Sequence, residues 1–131
     1  MLKKVILVII CLSVFVTAVY AVTPVVYIAV KNASDLINYV DKKVVVEGKV
    51  SDKPWQHIIY YSSKYTVASY FDIGKDQIVI YSKEMIGTTK KIKVKGTVIK
   101  VTAKSKNPNL SKAGKIYAEY HILADKIEQV K

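Results

Sequence analysis

The sequence predicts an all-β domain, a small closed barrel of five strands, and three observations carry that reading. Two stretches 48 residues apart are near copies, Lys42-Lys-Val-Val-Val-Glu-Gly-Lys-Val50 and Lys90-Lys-Ile-Lys-Val-Lys-Gly-Thr-Val98. Shorter apolar alternations lie between and after them, separated by turn residues. About 100 residues outside the N-terminal apolar run make one domain, enough for a single core without cross-links.

The echo comes first. Val44 and Val46 share one side of a strand, as do Ile92 and Val94, with Glu47, Lys93 and Lys95 on the other. Gly48 and Gly96 interrupt the runs and mark bulges or sharp bends. After Gly96 the apolar parity moves from even (Ile92, Val94) to odd (Ile99, Val101). The expectation is that a bulge re-aims the strand and that 92, 94, 99 and 101 all face inward. The two copies should be neighbours, each bent at its glycine.

The remaining elements follow in order. Asn32 to Val40 reads as a short helix capped by Asn32 or Ser34, with Leu36, Ile37 and Val40 on one face. The first strand covers about Lys43 to Ser51, and Asp52-Lys-Pro-Trp55 is a turn. His57 to Tyr61 is the far end of that bent strand or a separate short one. Tyr65 to Asp72 alternates as the second strand, Ile73-Gly-Lys-Asp76 is a hairpin turn, and Gln77 to Ser82 is the third strand with Ile78 and Ile80 inward. Lys83 to Gly87 supplies a single helical turn. The fourth strand covers about Lys91 to Val101, and Thr102 to Lys115 is a long polar loop. Ile116 to Ile127 is the fifth strand, with Ile116, Ala118, Tyr120, Ile122 and Ala124 on one face.

The N-terminus speaks to the compartment. Met1-Leu-Lys3-Lys4 is a positive head, followed by an apolar run from Val5 to Val19 broken by Ser13 and Thr17. Val19-Tyr-Ala21 offers small side chains at the two positions a signal peptidase reads, so residues 1–21 are expected to be a signal peptide. Apolar character resumes through Val30, and 5–30 exceeds the ~20 residues that span a bilayer, which keeps an uncleaved anchor as the alternative. Thr23-Pro24 interrupts such a helix and favours cleavage. Either way residues 32–131 form a domain on the far side of the membrane, periplasmic or extracellular. The only cysteine, Cys11, leaves with the signal. Ile10 before it does not fit a lipidation site. The exported domain therefore has no disulfide, thiol nucleophile or thiolate metal site.

All 21 basic residues are lysine, and the formal charge is +11. Such a balance attracts nucleic acid or anionic lipid, but without arginine there is no planar fork for bidentate phosphate or guanine recognition. Diffuse attraction, or a merely solvated surface, fits better than sequence readout.

Five strands, a helical turn after the third and a long loop between the last two describe the OB-fold, a Greek-key barrel. The order of helix, Val-x-Val-x-Gly-x-Val, aromatic-Asp hairpin and Val-x-Gly-x-Val resembles the exported bacterial OB-fold proteins. These are small, periplasmic and stress-linked, with a nucleic-acid-binding-like domain. The resemblance spans about Ser34 to Val130 and implies a binding fold more than an activity. The hairpin from Tyr70-Phe-Asp72 to Tyr81 also resembles that of the membrane-anchored haem chaperone of cytochrome c maturation. There a Leu-Ala motif precedes the haem-attaching histidine. Here Leu123-Ala124 is followed by Asp125-Lys-Ile-Glu128, so the defining residue is absent.

No catalytic constellation is visible, and the chain is read as a non-enzyme. His57 and His121 are its only histidines, on different strands and without a second ligand at metal spacing; each reads as a partly buried hydrogen-bonding residue. Neither a metal nor another cofactor is expected. OB-folds usually bind on the face of the second and third strands, bordered by the loops joining the first strand to the second and the fourth to the fifth. The expected ligand site is Trp55, Tyr70 and Tyr81 with Lys104, Lys106, Lys112 and Lys115 on the last loop. Aromatics among cations hold single strands by stacking worth ~1–3 kcal/mol per base. Phe71 and Tyr65 share the parity of Val67 and are assigned to the core. The function read from these residues is an exported binding module for an envelope protein or small ligand. Single-stranded nucleic acid or another polyanion is the alternative.

Overall fold

The computed structural model describes residues 20–56, 65, 67–84, 86–87, 90–104 and 116–131. Six strands carry the fold: β1 (Ile28–Ala29), β2 (Lys43–Val50), β3 (Val67–Ile73), β4 (Asp76–Ser82), β5 (Ile92–Lys104) and β6 (Ile116–Gln129). Around the sheet they run β2, β3, β4, β6, β5, and β5 returns to β2. The result is a closed five-stranded barrel of OB-like topology, with β4 and β6 its parallel pair.

The echoed segments lie against each other. Gly48 faces Ile92, Val46 faces Val94 and Gly96 faces Val44. The two copies are thus related by a local two-fold through the valine pair. Each glycine marks a crossing of backbones. A Cβ at Gly48 would stand 2.0 Å from the Asp72 carbonyl oxygen and 2.8 Å from the Phe71 ring, and one at Gly96 would stand 2.2 Å from the Leu123 oxygen. Immediately after Gly48, β2 leaves β5 and pairs with β3, Lys49 opposite Asp72. Gly48 is the corner.

The expected bulge is on the other strand. Between Lys95 and Gly96 the register moves from Lys126 to Ala124, which leaves Asp125 of β6 as the extra residue. In β5 the even parity simply continues: Ile92, Val94 and Val98 are all in the core. Ile99 and Val101 therefore do not face inward with them. They lie opposite His121 and Glu119, on the outward parity. The apolar switch after Gly96 has a different cause: Val101, Val79, Tyr81 and His121 are buried outside the core cluster. Burial moves to the outer side of the sheet there, while the strand keeps its phase.

The helix is 3₁₀ over Ala33–Tyr39, and its three-residue period brings Ala33, Leu36 and Tyr39 to the barrel. Ile37, expected inside, is 54% exposed. Asn32 occupies the cap position without a side-chain cap bond; its amide donates to Asp35 at 3.1 Å instead. Beyond the helix, Asp41 (φ 64°) turns the chain and its N–H donates to the Val98 carbonyl at 2.8 Å.

Two further elements differ from expectation. β1, absent from the sequence reading, pairs in parallel with Val44 and Val45, a stretch of β2 that β3 leaves unpaired. Val30 continues it, donating to Val45 at 3.0 Å and burying its side chain. Ordered contacts with the barrel thus begin a few residues before the expected boundary at 32. Lys83, Glu84, Ile86 and Gly87 form no helical turn. The hairpin turn is as expected: Ile73 pairs with Asp76, and Gly74 takes the positive φ (59°) of the first position of a II′ turn. Residues 1–19, His57 to Tyr61 and 105–115 lie outside the described residues. The described part has no helix long and apolar enough to cross a membrane.

Candidate binding cleft

Two seams of the barrel are short, β2–β3 and β4–β6, each with two register pairs. β4 and β6 pair through Ile80–Ile122 and Tyr81–Leu123, and to either side the strands part. Each parting opens a cleft. Toward the β4 N-terminus a cleft of about 340 Å³ is lined by Tyr70, Gln77, Val79, Glu119, Tyr120 and His121, together with Ala33 and Ile78. At the other end a cleft of about 740 Å³ lies between 83–84 and 86–87 on one side and 124–127 and Gln129 on the other. Lys83, Glu84, Asp125 and Lys126 line it together with Ile86, Ile92 and Ala124. The larger cleft contains none of the aromatics or lysines expected for the site. Tyr65, assigned to the core from its parity, is half-buried and lines this larger cleft.

The smaller cleft is where the sequence-predicted aromatics converge, in part. Tyr70 and Asp72 take the outward parity of β3, since Phe71 and Ile73 fill the core. Trp55, 37% exposed, packs its ring on Tyr70 with centroids 4.9 Å apart and planes tilted by 32°. Gln77 ties the neighbourhood together, its amide donating to Ser51 at 3.0 Å and to Asp72 at 3.2 Å.

Tyr81 is a correction. It has the outward parity expected of a surface ring, yet it is 1% exposed. Its hydroxyl lies 3.0 Å from His121 Nδ1, and His121 Nε2 lies 2.8 Å from Glu119 Oε2. A carboxylate accepts only, so Nε2 donates to Glu119; in the neutral ring Nδ1 then accepts and Tyr81 donates to it. One neutral tautomer satisfies the whole line. A ring held this way positions Glu119 at the cleft; Tyr81 offers no face to a ligand.

The expected lysine cluster falls almost wholly outside the described residues. Lys104 ends β5 in register with Ile116, and Lys106, Lys112 and Lys115 lie outside them. Sequence reasoning missed Glu119 and Gln77. The available signal was spacing: Glu119 and His121 are two apart on one strand and so share a face. Among the described residues no group of three or more metal-ligating side chains occurs.

The outer face of β2, β5 and β6 is built differently. Glu47 meets Lys91 and Lys93, each at 3.3 Å. Glu128 meets Lys126 at 2.7 Å and Lys95 at 3.1 Å. Lys43 pairs with Asp125, the bulged residue. The ammonium groups of Lys93 and Lys91 hold the Glu47 carboxyl below its ordinary range, and those of Lys126 and Lys95 do the same for Glu128. Lys43 is raised by its bond to Asp125, and Lys126 by its bond to Glu128. Lys95 also lies 5.5 Å from the centroid of the Tyr27 ring.

No family model matches the chain, and a search of the curated proteins returns no match.

Proposed function

We propose that the barrel is a non-catalytic binding module whose site is the outward face of β3 and β4, and whose ligand is a protein or small molecule of the cell envelope. The observation that carries the reading is the Trp55–Tyr70 ring pair beside a cleft that has Gln77 and Glu119 in its wall. Exposed, stacked aromatics next to a few fixed polar groups are the composition of a ligand site. The envelope assignment rests on the lysine-headed apolar N-terminus and on the resemblance to exported OB-fold proteins.

The second reading, polyanion binding, is favoured by the formal charge of +11. Against it, Lys43, Lys91, Lys93, Lys95 and Lys126 are engaged by carboxylates on their own face. Titration with a single-stranded oligonucleotide and with anionic vesicles at two salt concentrations separates the readings. The polyanion reading requires saturable binding at low salt that falls steeply as salt rises. The envelope-ligand reading expects neither probe to bind. It also expects a photoreactive residue at Lys53, beside Trp55, to crosslink an envelope component that the same residue at Lys91 does not reach. Equal labelling from both positions overturns it.

A further inference from the structure

β6 is paired unevenly along its two edges. β5 runs along one edge from Ile116 to Gln129. Along the other, β4 meets it at Ile122 and Leu123, and among the described residues no strand pairs with 116–120 there. β4 begins at Asp76, four residues before Ile80, so even a continued ladder would stop at Ala118. Ile116 and Tyr117 run past it, 63% and 42% exposed. An exposed strand edge with apolar side chains is a template for another strand, and lysine is a common guard against such pairing. Here the guard is missing. β5 has Lys93, Lys95, Lys100 and Lys104, whereas 116–125 has no lysine in a chain of 21.

We infer that this edge pairs with the same edge of a second copy of the chain, antiparallel and two-fold about Ala118. Such pairing goes beyond the ligand reading and stands apart from it. The strand is self-complementary in that register. Ile116 lies opposite the partner's Tyr120, Tyr117 opposite the partner's Glu119, and Ala118 opposite the partner's Ala118. Apolar meets aromatic, small meets small on the axis, and no two like charges are opposed. An isologous pair of this kind closes on itself and recruits no third copy. Net charge selects the place. Two chains of +11 repel each other, so they approach best along a strand without lysine. Pairing over 116–120 alone is small beside the ~1,200–2,000 Å² of standard interfaces, so the dimer is weak and forms with rising concentration.

The test is disulfide trapping and sedimentation of the full chain, with Cys11→Ser throughout. Opposed Cα atoms of an antiparallel pair are ~4.5–5.5 Å apart, within the ~4.4–6.8 Å that a disulfide spans. Ala118→Cys should therefore give a disulfide-linked dimer under mild oxidant, about tenfold or more faster than Lys91→Cys on the outer face of β2, β5 and β6. Sedimentation of the cysteine-free chain should show monomer and dimer exchanging with concentration. The dimer share should rise with salt, because like-charge repulsion is screened. Ala118→Lys should weaken association about tenfold or more with the thermal midpoint held, since Ala118 is exposed. Tyr117→Lys serves if that variant unfolds. Equal trapping from Lys91→Cys, or a monomer at every concentration, overturns the pairing and leaves the ligand reading standing. Association that survives both lysine variants also overturns it and points to the apolar N-terminus instead.

Discussion

Two outward faces of one barrel solve the same problem in opposite ways. On β2, β5 and β6 the outward side chains are lysines and carboxylates that neutralise one another in solvent. Across β3, β4 and the first half of β6 the outward positions bury Val79, Tyr81 and His121 and line a cleft. The contrast shows that net charge alone says little about how charge is distributed over this barrel. Lys43, Lys91, Lys93, Lys95 and Lys126 stand on the paired face, and the smaller cleft has the Glu119 carboxylate in its wall. Exposed pairs of this kind contribute little stability each, whereas a buried hydrogen-bonded line fixes geometry.

The largest effect is expected at the corner between the faces. Gly48 is where β2 passes from β5 to β3, and any side chain there meets the Asp72 backbone oxygen at 2.0 Å. The obstacle is main chain, so it cannot swing aside as a side-chain tip would. Gly48→Ala and Gly96→Ala should each cost at or above the ~3 kcal/mol upper end of ordinary overpacking, measured as the shift of a urea unfolding midpoint. Gly87→Ala is the control, with nothing within 4 Å of the added atom. If Gly48→Ala unfolds no more readily than Gly87→Ala, the corner is not where the two faces are joined.

A smaller effect sharpens the contrast between a buried line and an exposed ladder. Tyr81→Phe removes the donor to His121 Nδ1 while keeping the ring in place. Leaving a buried acceptor without that donor should cost ~1–3 kcal/mol. Because His121 in turn holds Glu119 at 2.8 Å, the variant should also weaken whatever Glu119 binds. Lys95→Ala, on the other face, should change neither quantity measurably. Equal losses from the two variants would erase the distinction drawn between the faces.

The echo and the strand order were legible because both follow from local rules. Alternation of Val44 and Val46, or Ile92 and Val94, needs one buried side, and a glycine inside such a run needs a reason. Those rules placed β2 beside β5 and a corner at Gly48. They failed where burial depends on what covers a strand. Ile99 and Val101 are apolar because the outer side of the sheet is also buried there, and a single sequence cannot separate that from a bulge. Tyr81 was misread for the same reason: parity says which side a ring takes, not whether that side is wet. Ile37 was misplaced by assuming a 3.6-residue period where the helix is 3₁₀. β1 was hidden by its neighbours, two residues of strand inside a long apolar stretch. At the candidate site, Trp55 and Tyr70 were named from residue type and position and lie ring to ring, whereas Glu119 needed its pairing with His121 to stand out.

The smallest expected effect is the pH response of the exposed ladder. Glu47 and Glu128 each have a folded-state pKa lowered from the ordinary 4.5 by their lysine neighbours. Folding thus favours the ionised carboxylate. The stabilisation is complete above about pH 4.5 and is lost as pH falls through the lowered folded values. Lys43 and Lys126 have the opposite form: raised from 10.5, they stabilise fully below that value and lose the contribution as pH rises through the folded one. A urea midpoint followed from pH 7 to pH 3 should therefore decline below 4.5, and Glu47→Gln with Glu128→Gln should flatten that decline. Added salt should flatten it as well, since exposed pairs are screened. Tyr81→Phe touches none of these lysine–carboxylate pairs and should leave their salt dependence as it is. A salt-insensitive decline would mean that the ladder is not the source of the acid response, and the two faces would then differ in burial alone.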